Sequence, residues 1–195
     1  MPKVIIGLIG ETGSGKDTFC DYIKKTVKQP VFYFRFSDTL SEILMILFGE
    51  VKKEDQQWLG KVLREQYGND ILAKAMAQKI KNIEEGIITT KSIYRAEPVI
   101  ILNGIRYWEE FEMVQKLGGK NLYITADQKI RWQRINKRGE KIDDSSSYDK
   151  FLEKERAETE ILVPEIGKKA DFKIENNGSR DDFYKEVDKI IKNLK

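Results

Sequence analysis

The sequence predicts an α/β domain built on a parallel sheet, and three observations predict it. Short apolar, β-branched runs alternate with longer amphipathic stretches. The first run, Val4 to Ile9, empties directly into a glycine-rich turn that is followed by a helical pattern. Hydrophobic residues make up 40% and charged residues 34% of 195, enough apolar material for one compact core under a charged surface, which excludes a disordered or collagen-like chain.

Taken in order, the strand candidates are Lys3–Ile9, Val31–Phe36, Pro98–Leu102, Asn121–Thr125 and Asp171–Glu175. Helix candidates lie between them. Lys16–Val27 places Phe19, Ile23 and Val27 four apart, and Leu40–Phe48 is rich in Leu and Ile. Asp70–Ile83 repeats Leu72, Ala75, Met76, Lys79 and Ile80, and Asp182–Leu194 sets Phe183, Val187, Ile190, Ile191 and Leu194 on one face. Two insertions interrupt the alternation: a mostly helical stretch at about 49–95, and a charged one at about 129–169. The core is then 1–48, 96–128 and 170–195, a single domain.

Missing residue types narrow the chemistry. With no histidine, Ser-His-Asp and Cys-His pairs and HExxH zinc sites are excluded. The single cysteine, Cys20, builds neither an internal disulfide nor a thiolate zinc site. No apolar run is long enough to span a bilayer, and the N-terminus lacks a signal-peptide pattern, so a cytoplasmic protein without membrane partners is expected. Lys plus Arg number 35 against 32 acidic residues. So small an excess predicts no general affinity for nucleic acid, and the composition suits a monomer or a dimer alike.

The turn itself reads Gly10-Glu11-Thr12-Gly13-Ser14-Gly15-Lys16-Asp17-Thr18. It matches the P-loop pattern G-x-x-x-x-G-K-[S/T] except at Asp17. Glycines let successive N–H groups point at phosphate oxygens, the following helix adds its positive end, and Lys16 supplies a mobile cation to the β- and γ-phosphates. Gly10, Gly13, Ser14, Gly15, Lys16, Asp17 and Thr18 are therefore the expected phosphate-binding residues, with ATP and Mg²⁺ as cofactors. Asp17 stands where a hydroxyl normally ligates Mg²⁺; it could do so directly, act through water, or leave the task to Thr18.

The rest of the chain separates kinds of P-loop protein. Asn136-Lys137-Arg138-Gly139 lacks the Asp of a guanine motif, and Val99–Leu102 ends in Asn103-Gly104, without the water-activating Glu of hydrolytic ATPases. Transfer to a bound acceptor is favoured. Arg106 follows that strand at the sheet's carboxyl end, where ligands bind in open α/β folds, and suits an acceptor phosphate. Lys129, Arg131, Arg134, Lys137, Arg138 and Lys141 form a basic cluster, with Arg134 and Arg138 on one helical face. Such a segment suits a lid over the phosphates, or else a solvated basic helix. Asp38 stands where an acceptor would sit, or serves the helix start, because Thr39-Leu40-Ser41-Glu42 reads as a capping box. Arg64 either reaches the acceptor or is an ordinary surface residue. Asn176, Asn177, Gly178 and Ser179 follow the last strand and could line an adenine pocket through backbone groups, although Ser179 also reads as an N-cap. Trp132 and Cys20 read as packing residues.

Together these motifs resemble the nucleoside-monophosphate-kinase-like branch of P-loop kinases over nearly the whole chain. Gly13–Thr18 is similar to the loop of deoxynucleoside monophosphate kinases. Asn103–Arg106 resembles an Asp-Gly-Ile-Arg run of dephospho-CoA kinases and archaeal nucleotide kinases, with Asn103 in place of Asp. Gln133-Arg134 with Arg138 resembles arginines at the start of the kinase lid, and Ala170–Gly178 resembles the last strand and adenine loop. The resemblance implies a three-layer P-loop sandwich with sheet order 2-3-1-4-5, an acceptor-binding helical insertion and a mobile lid. It implies an ATP-dependent phosphotransferase in which Lys16, Arg106, Arg134 and Arg138 are catalytic and Asp38, Arg64 and Arg106 bind the acceptor. That acceptor is a small, nucleotide-like molecule: a nucleoside or deoxynucleoside monophosphate, or alternatively dephospho-CoA. A nucleotide-binding regulatory module is the alternative of another class.

Overall fold

A computed structural model describes residues 3–85, 97–138 and 147–194. Lys141, Ser145 and Ser146, and the end of the first insertion, lie outside them. Five parallel strands form one sheet in the order β2-β3-β1-β4-β5, as the resemblance implied. They are β1 (Val4–Ile9), β2 (Val31–Arg35), β3 (Val99–Ile105), β4 (Lys120–Thr125) and β5 (Phe172–Glu175). Around them run α1 (Lys16–Thr26), α2 (Asp38–Phe48), α3 (Lys53–Tyr67), α4 (Ile71–Glu84) and α5 (Trp108–Lys116). After β4 come α6 (Gln128–Arg138), α7 (Tyr148–Glu155), α8 (Glu158–Ile161) and α9 (Val163–Gly167), and α10 (Arg180–Asn193) follows β5.

The period-two alternation of β1 splits its side chains between two cores. Ile5 and Ile9 join Ile100, Leu102, Leu40, Met76, Ile80, Val114 and Ile166 on one face. Ile6 and Leu8 join Ile101, Ile124, Phe19, Ile23, Val187 and Ile190 on the other. The result is three layers, with α1 and α10 on one side and α4, α5 and α9 on the other. α4 and α9 fall within the two stretches set apart in the sequence, yet Met76, Ile80, Val163 and Ile166 are buried in the central core. Through α4 and α9, the described parts of these two stretches each contribute part of a core layer.

Two local expectations are corrected. β3 does not stop at Leu102; it runs through Asn103 and Gly104 to Ile105. Gly104, at φ 88°, takes up an irregularity of register opposite Leu8 and Ile9, so the ladder continues where a turn was expected. The Thr39–Glu42 capping box does not form. α2 begins at Asp38 after Ser37, without a side-chain cap. Asp38 Oδ2 instead accepts the Arg35 N–H at 2.8 Å, and Glu42 is drawn away to Lys79 at 2.6 Å. The Ser179 cap does form, as a capping box with Asp182. No helix among the described residues is long and apolar enough to cross a membrane.

Candidate functional site

The glycine loop sits at the carboxyl end of β1, between β3 and β4. Gly13 has φ 83° and Gly15 φ 113°, left-handed conformations that glycine adopts without strain. Space is equally restrictive: a Cβ on Gly13 would stand 2.7 Å from the Arg131 carbonyl, and one on Gly15 would strike Asn176 Nδ2. The loop is thus clamped between α6 and the residue that follows β5. Asn176 is the fastener, donating Nδ2 to Ser14 O at 2.8 Å while Oδ1 accepts from Arg134 Nη2 at 3.4 Å. Inside the clamp, the fully buried Ser14 hydroxyl has no hydrogen-bond partner.

Lys16 Nζ donates to Gly10 O at 2.6 Å and Glu11 O at 2.9 Å. Burial, followed by the charge of Arg106, lowers its pKa to about 8, against the opposing pull of Glu160, Asp17 and Glu11. Glu11 itself turns toward β4, where Tyr123 Oη donates to it at 2.5 Å.

Asp17, at the outer edge of the loop, meets the ends of β2 and β3. Its Oδ1 accepts from Arg35 Nη2 at 3.1 Å, Tyr33 Oη at 3.2 Å and Asn103 Nδ2 at 3.5 Å. Burial alone would raise its pKa, but the Arg35 guanidinium, Lys16 and the Tyr33 hydroxyl hold the carboxyl below its usual value. Asn103, the other departure from the resembled pattern, therefore lies beside the first. It donates to Tyr33 Oη at 2.6 Å, and its buried Oδ1 has no partner. Thr18 follows in the first turn of α1, half-buried.

Across the sheet end, the structure joins the two arginines assigned to an acceptor. Glu110, 1% exposed, accepts the Arg106 N–H at 2.8 Å and lies 3.5 Å from Arg64 Nη2. Burial raises the Glu110 pKa, opposed by the Arg106 N–H and by Arg64. Arg64 stacks on the Tyr107 ring at 4.0 Å, and its buried Nε has no partner. The Arg106 guanidinium reaches Glu160 on α8. Asp38, tied to the Arg35 amide, is part of the β2–α2 turn.

The basic cluster divides in two. Arg131 is 6% exposed: it pairs with Glu155 of α7 through both nitrogens, donates to Ala126 O at 3.0 Å, and lies over Phe151. It is a packing residue, contrary to its place in the expected lid cluster, because the β4–α6 turn folds it inward. Arg134, one turn on, has a buried Nη1 without a partner, and desolvation lowers its pKa. Arg138 ends α6 on the same side, half-buried.

Asn177 uses its side chain to fasten two loops. Its Oδ1 accepts the Asp127 N–H at 2.7 Å and joins the β4–α6 loop to the one after β5. Gly178 leads into the Ser179 cap. Trp132 packs edge-on against Tyr148, and burial pushes the Cys20 thiol up to about 12, which suits packing. Tyr33, Arg35, Glu110 and Glu160 did not stand out as site residues in the sequence. Of these only Glu110 leaves a local trace, four residues after Arg106.

Comparison with known proteins places the fold. A UPF0200 protein of Sulfurisphaera tokodaii is 24% identical over 193 residues, covering 97% of each chain. A UPF0200/UPF0201 protein of Archaeoglobus fulgidus is 27% identical over 193 residues, covering 97% of this chain and 55% of the other. Among solved structures, TT1252 of Thermus thermophilus superposes with a TM-score of 0.58 at 22% identity, covering both chains fully. A shikimate kinase of Bacteroides thetaiotaomicron does so with 0.53 at 14%, covering 98% of each. The fold they share is that of P-loop kinases. A family model described as an AAA domain matches residues 6–162, well over half of the sequence and inclusive of the whole glycine loop, and the chain belongs to that family.

Proposed function

We propose that the protein is an ATP- and Mg²⁺-dependent small-molecule kinase that transfers the γ-phosphoryl group to a nucleoside or deoxynucleoside monophosphate. One observation carries the reading. Unpartnered buried polar groups meet at one loop: Arg134 Nη1 and the Ser14 hydroxyl lack partners, and Asn176 ties the two residues together through Arg134 Nη2 and the Ser14 carbonyl. A buried donor left unmade costs about 1–3 kcal/mol, so such a cluster is retained where a ligand completes it. A polyphosphate fits, since Lys16 Nζ rests on two carbonyls that offer it no counter-charge. Mg²⁺ fits as well. It takes few protein oxygens and fills its shell from nucleotide phosphates and water, and Asp17 is an ionised, half-exposed carboxylate at the loop edge. Held by Asp17, Mg²⁺ would supply positive charge to the transferring phosphates.

In this reading Lys16 turns from the Gly10 and Glu11 carbonyls to the β- and γ-oxygens, and Arg134 and Arg138 of α6 neutralise the group in flight. Arg64 and Arg106, braced by Glu110, hold the acceptor phosphate. An oxygen of that phosphate attacks the γ-phosphorus, and the bond to the β-bridging oxygen breaks, releasing ADP. The attacking oxygen carries no proton at neutral pH, so no base is required. That favours a phosphate acceptor over the ribose hydroxyl of dephospho-CoA, for which Asp38 would be the base, because its carboxylate is engaged by the Arg35 amide. The same-fold shikimate kinase supports transfer to a small molecule. In this reading α3, which carries Arg64, forms the acceptor wall, and α6, α7 and α8 form the lid. The test is ADP release with Mg²⁺-ATP and a panel of nucleoside monophosphates and dephospho-CoA. Turnover with one monophosphate, lost in Lys16→Ala, is expected. Turnover with dephospho-CoA alone, or with no acceptor at all, overturns the proposal.

A further inference from the structure

The Arg106 guanidinium is already gripped by a carboxylate. Glu160 Oε1 lies 2.6 Å from Arg106 Nη2 and accepts from Nε at 2.9 Å, the fork that arginine offers equally to a carboxylate or a phosphate. The side chains are only 30% and 19% exposed. Both partners act on Lys16, Arg106 lowering its pKa and Glu160 raising it, so the Glu160 carboxylate stands near the phosphate loop.

Charge neutralisation alone does not explain the pairing. A buried carboxylate four residues on, Glu110, was close enough to serve Arg106, yet it takes the Arg106 backbone N–H and Arg64. The guanidinium pairs instead with a residue 54 positions later. That residue rides on a light element. α8 has four residues and its last, Ile161, is 62% exposed, whereas Val163 and Ile166 of the following α9 are fully buried. The core thus anchors α9 and leaves α8 as the part that can swing.

We propose that Glu160 holds the place of the acceptor's phosphate: α8 delivers a carboxylate to the Arg106 fork, and the incoming phosphate displaces it. The inference rests on the kinase reading and narrows it. An acceptor must present an oxyanion at Arg106, since a neutral molecule has nothing with which to compete for the guanidinium. Displacement also taxes binding, because apparent affinity falls in proportion to the fraction of molecules in which the fork is open.

Glu160→Gln keeps the shape of the side chain and removes its charge. With whichever monophosphate supports turnover, the acceptor KM is expected to fall about fivefold to tenfold, with kcat within about twofold. Inorganic phosphate, titrated while the Arg106 Nε–H resonance is followed by NMR, should shift that signal at a correspondingly lower concentration. Glu160→Asp, which withdraws the charge by one methylene, should move both readouts the same way and guards against a folding defect in the first variant. A KM and a phosphate titration that are unchanged or weakened overturn the proposal. So does a collapse of kcat at constant KM, which would make Glu160 a base. The titration needs no turnover: if no monophosphate is phosphorylated but the phosphate shift appears, the kinase reading falls and the placeholder role stands. Normal turnover with an unmoved titration leaves the kinase reading and removes Glu160 from it.

Discussion

The Lys16 amine lies against the carbonyls of Gly10 and Glu11, and burial and Arg106 bring its pKa down to about 8, so above that pH its neutral form has a proton to gain. A lowered lysine pKa means that the free protein releases this proton as pH rises through about 8. Phosphate oxygens beside the amine favour the charged form and raise the value again. Binding of an ATP analogue should therefore take up about three-quarters of a proton per site at about pH 8.5 and almost none at about pH 6. Calorimetric titration in two buffers of different ionisation enthalpy measures this directly. Lys16→Met should bind more weakly and take up none. Equal uptake in wild type and variant would assign the proton to another group.

At the scale of elements, α6 carries two arginines three residues apart with opposite duties. Arg131 ties α6 to α7 through Glu155, with side chains 7% and 19% exposed, while Arg134 keeps an unpartnered nitrogen over the glycine loop. Removing one member of a buried pair leaves the other charge uncompensated. Glu155→Ala should thus cost about 3 kcal/mol in urea unfolding. Arg134→Ala should change stability by no more than about 0.5 kcal/mol, because no ion pair is broken. It should lower turnover on the order of a hundredfold, and ATP affinity far less, if its contact forms in the transition state. The reverse pattern, with Arg134 structural and Glu155 dispensable, would contradict this division. Sequence alone could not separate the two, since both lie on one basic helix and differ only in what the folded chain places opposite them.

At the scale of the whole molecule, what the sequence revealed and what it hid divide by distance along the chain. The glycine spacing, Lys16 and the strand-to-Arg106 exit were legible because each is local, written within a turn or a strand. Glu160 on Arg106, Asn176 on Ser14 and Asn103 beside Asp17 were not, because those pairs stand 54, 162 and 86 residues apart. Only the sheet brings them together: β3 lies between β2 and β1, with Asn103 in register with Arg35 on one side and Leu8 on the other. Two residues that looked like separate departures from the resembled pattern are thereby neighbours. A hydroxyl on the loop and a carboxylate at the strand end would give this corner one negative charge; Asp17 with Asn103 gives it one as well, moved across the gap. If that exchange is what the corner preserves, Asp17→Ser removes its carboxylate, and Asn103→Asp sets a second one about where Asn103 Nδ2 now stands, 3.5 Å from Asp17. Each change alone should lower Mg²⁺-dependent ADP release by about tenfold or more. The double variant Asp17→Ser, Asn103→Asp should recover most of the loss, with a coupling on the order of 1–2 kcal/mol in a double-mutant cycle. Losses that simply multiply would mean that the two positions act independently and that Asp17 has a duty no relocated carboxylate can perform.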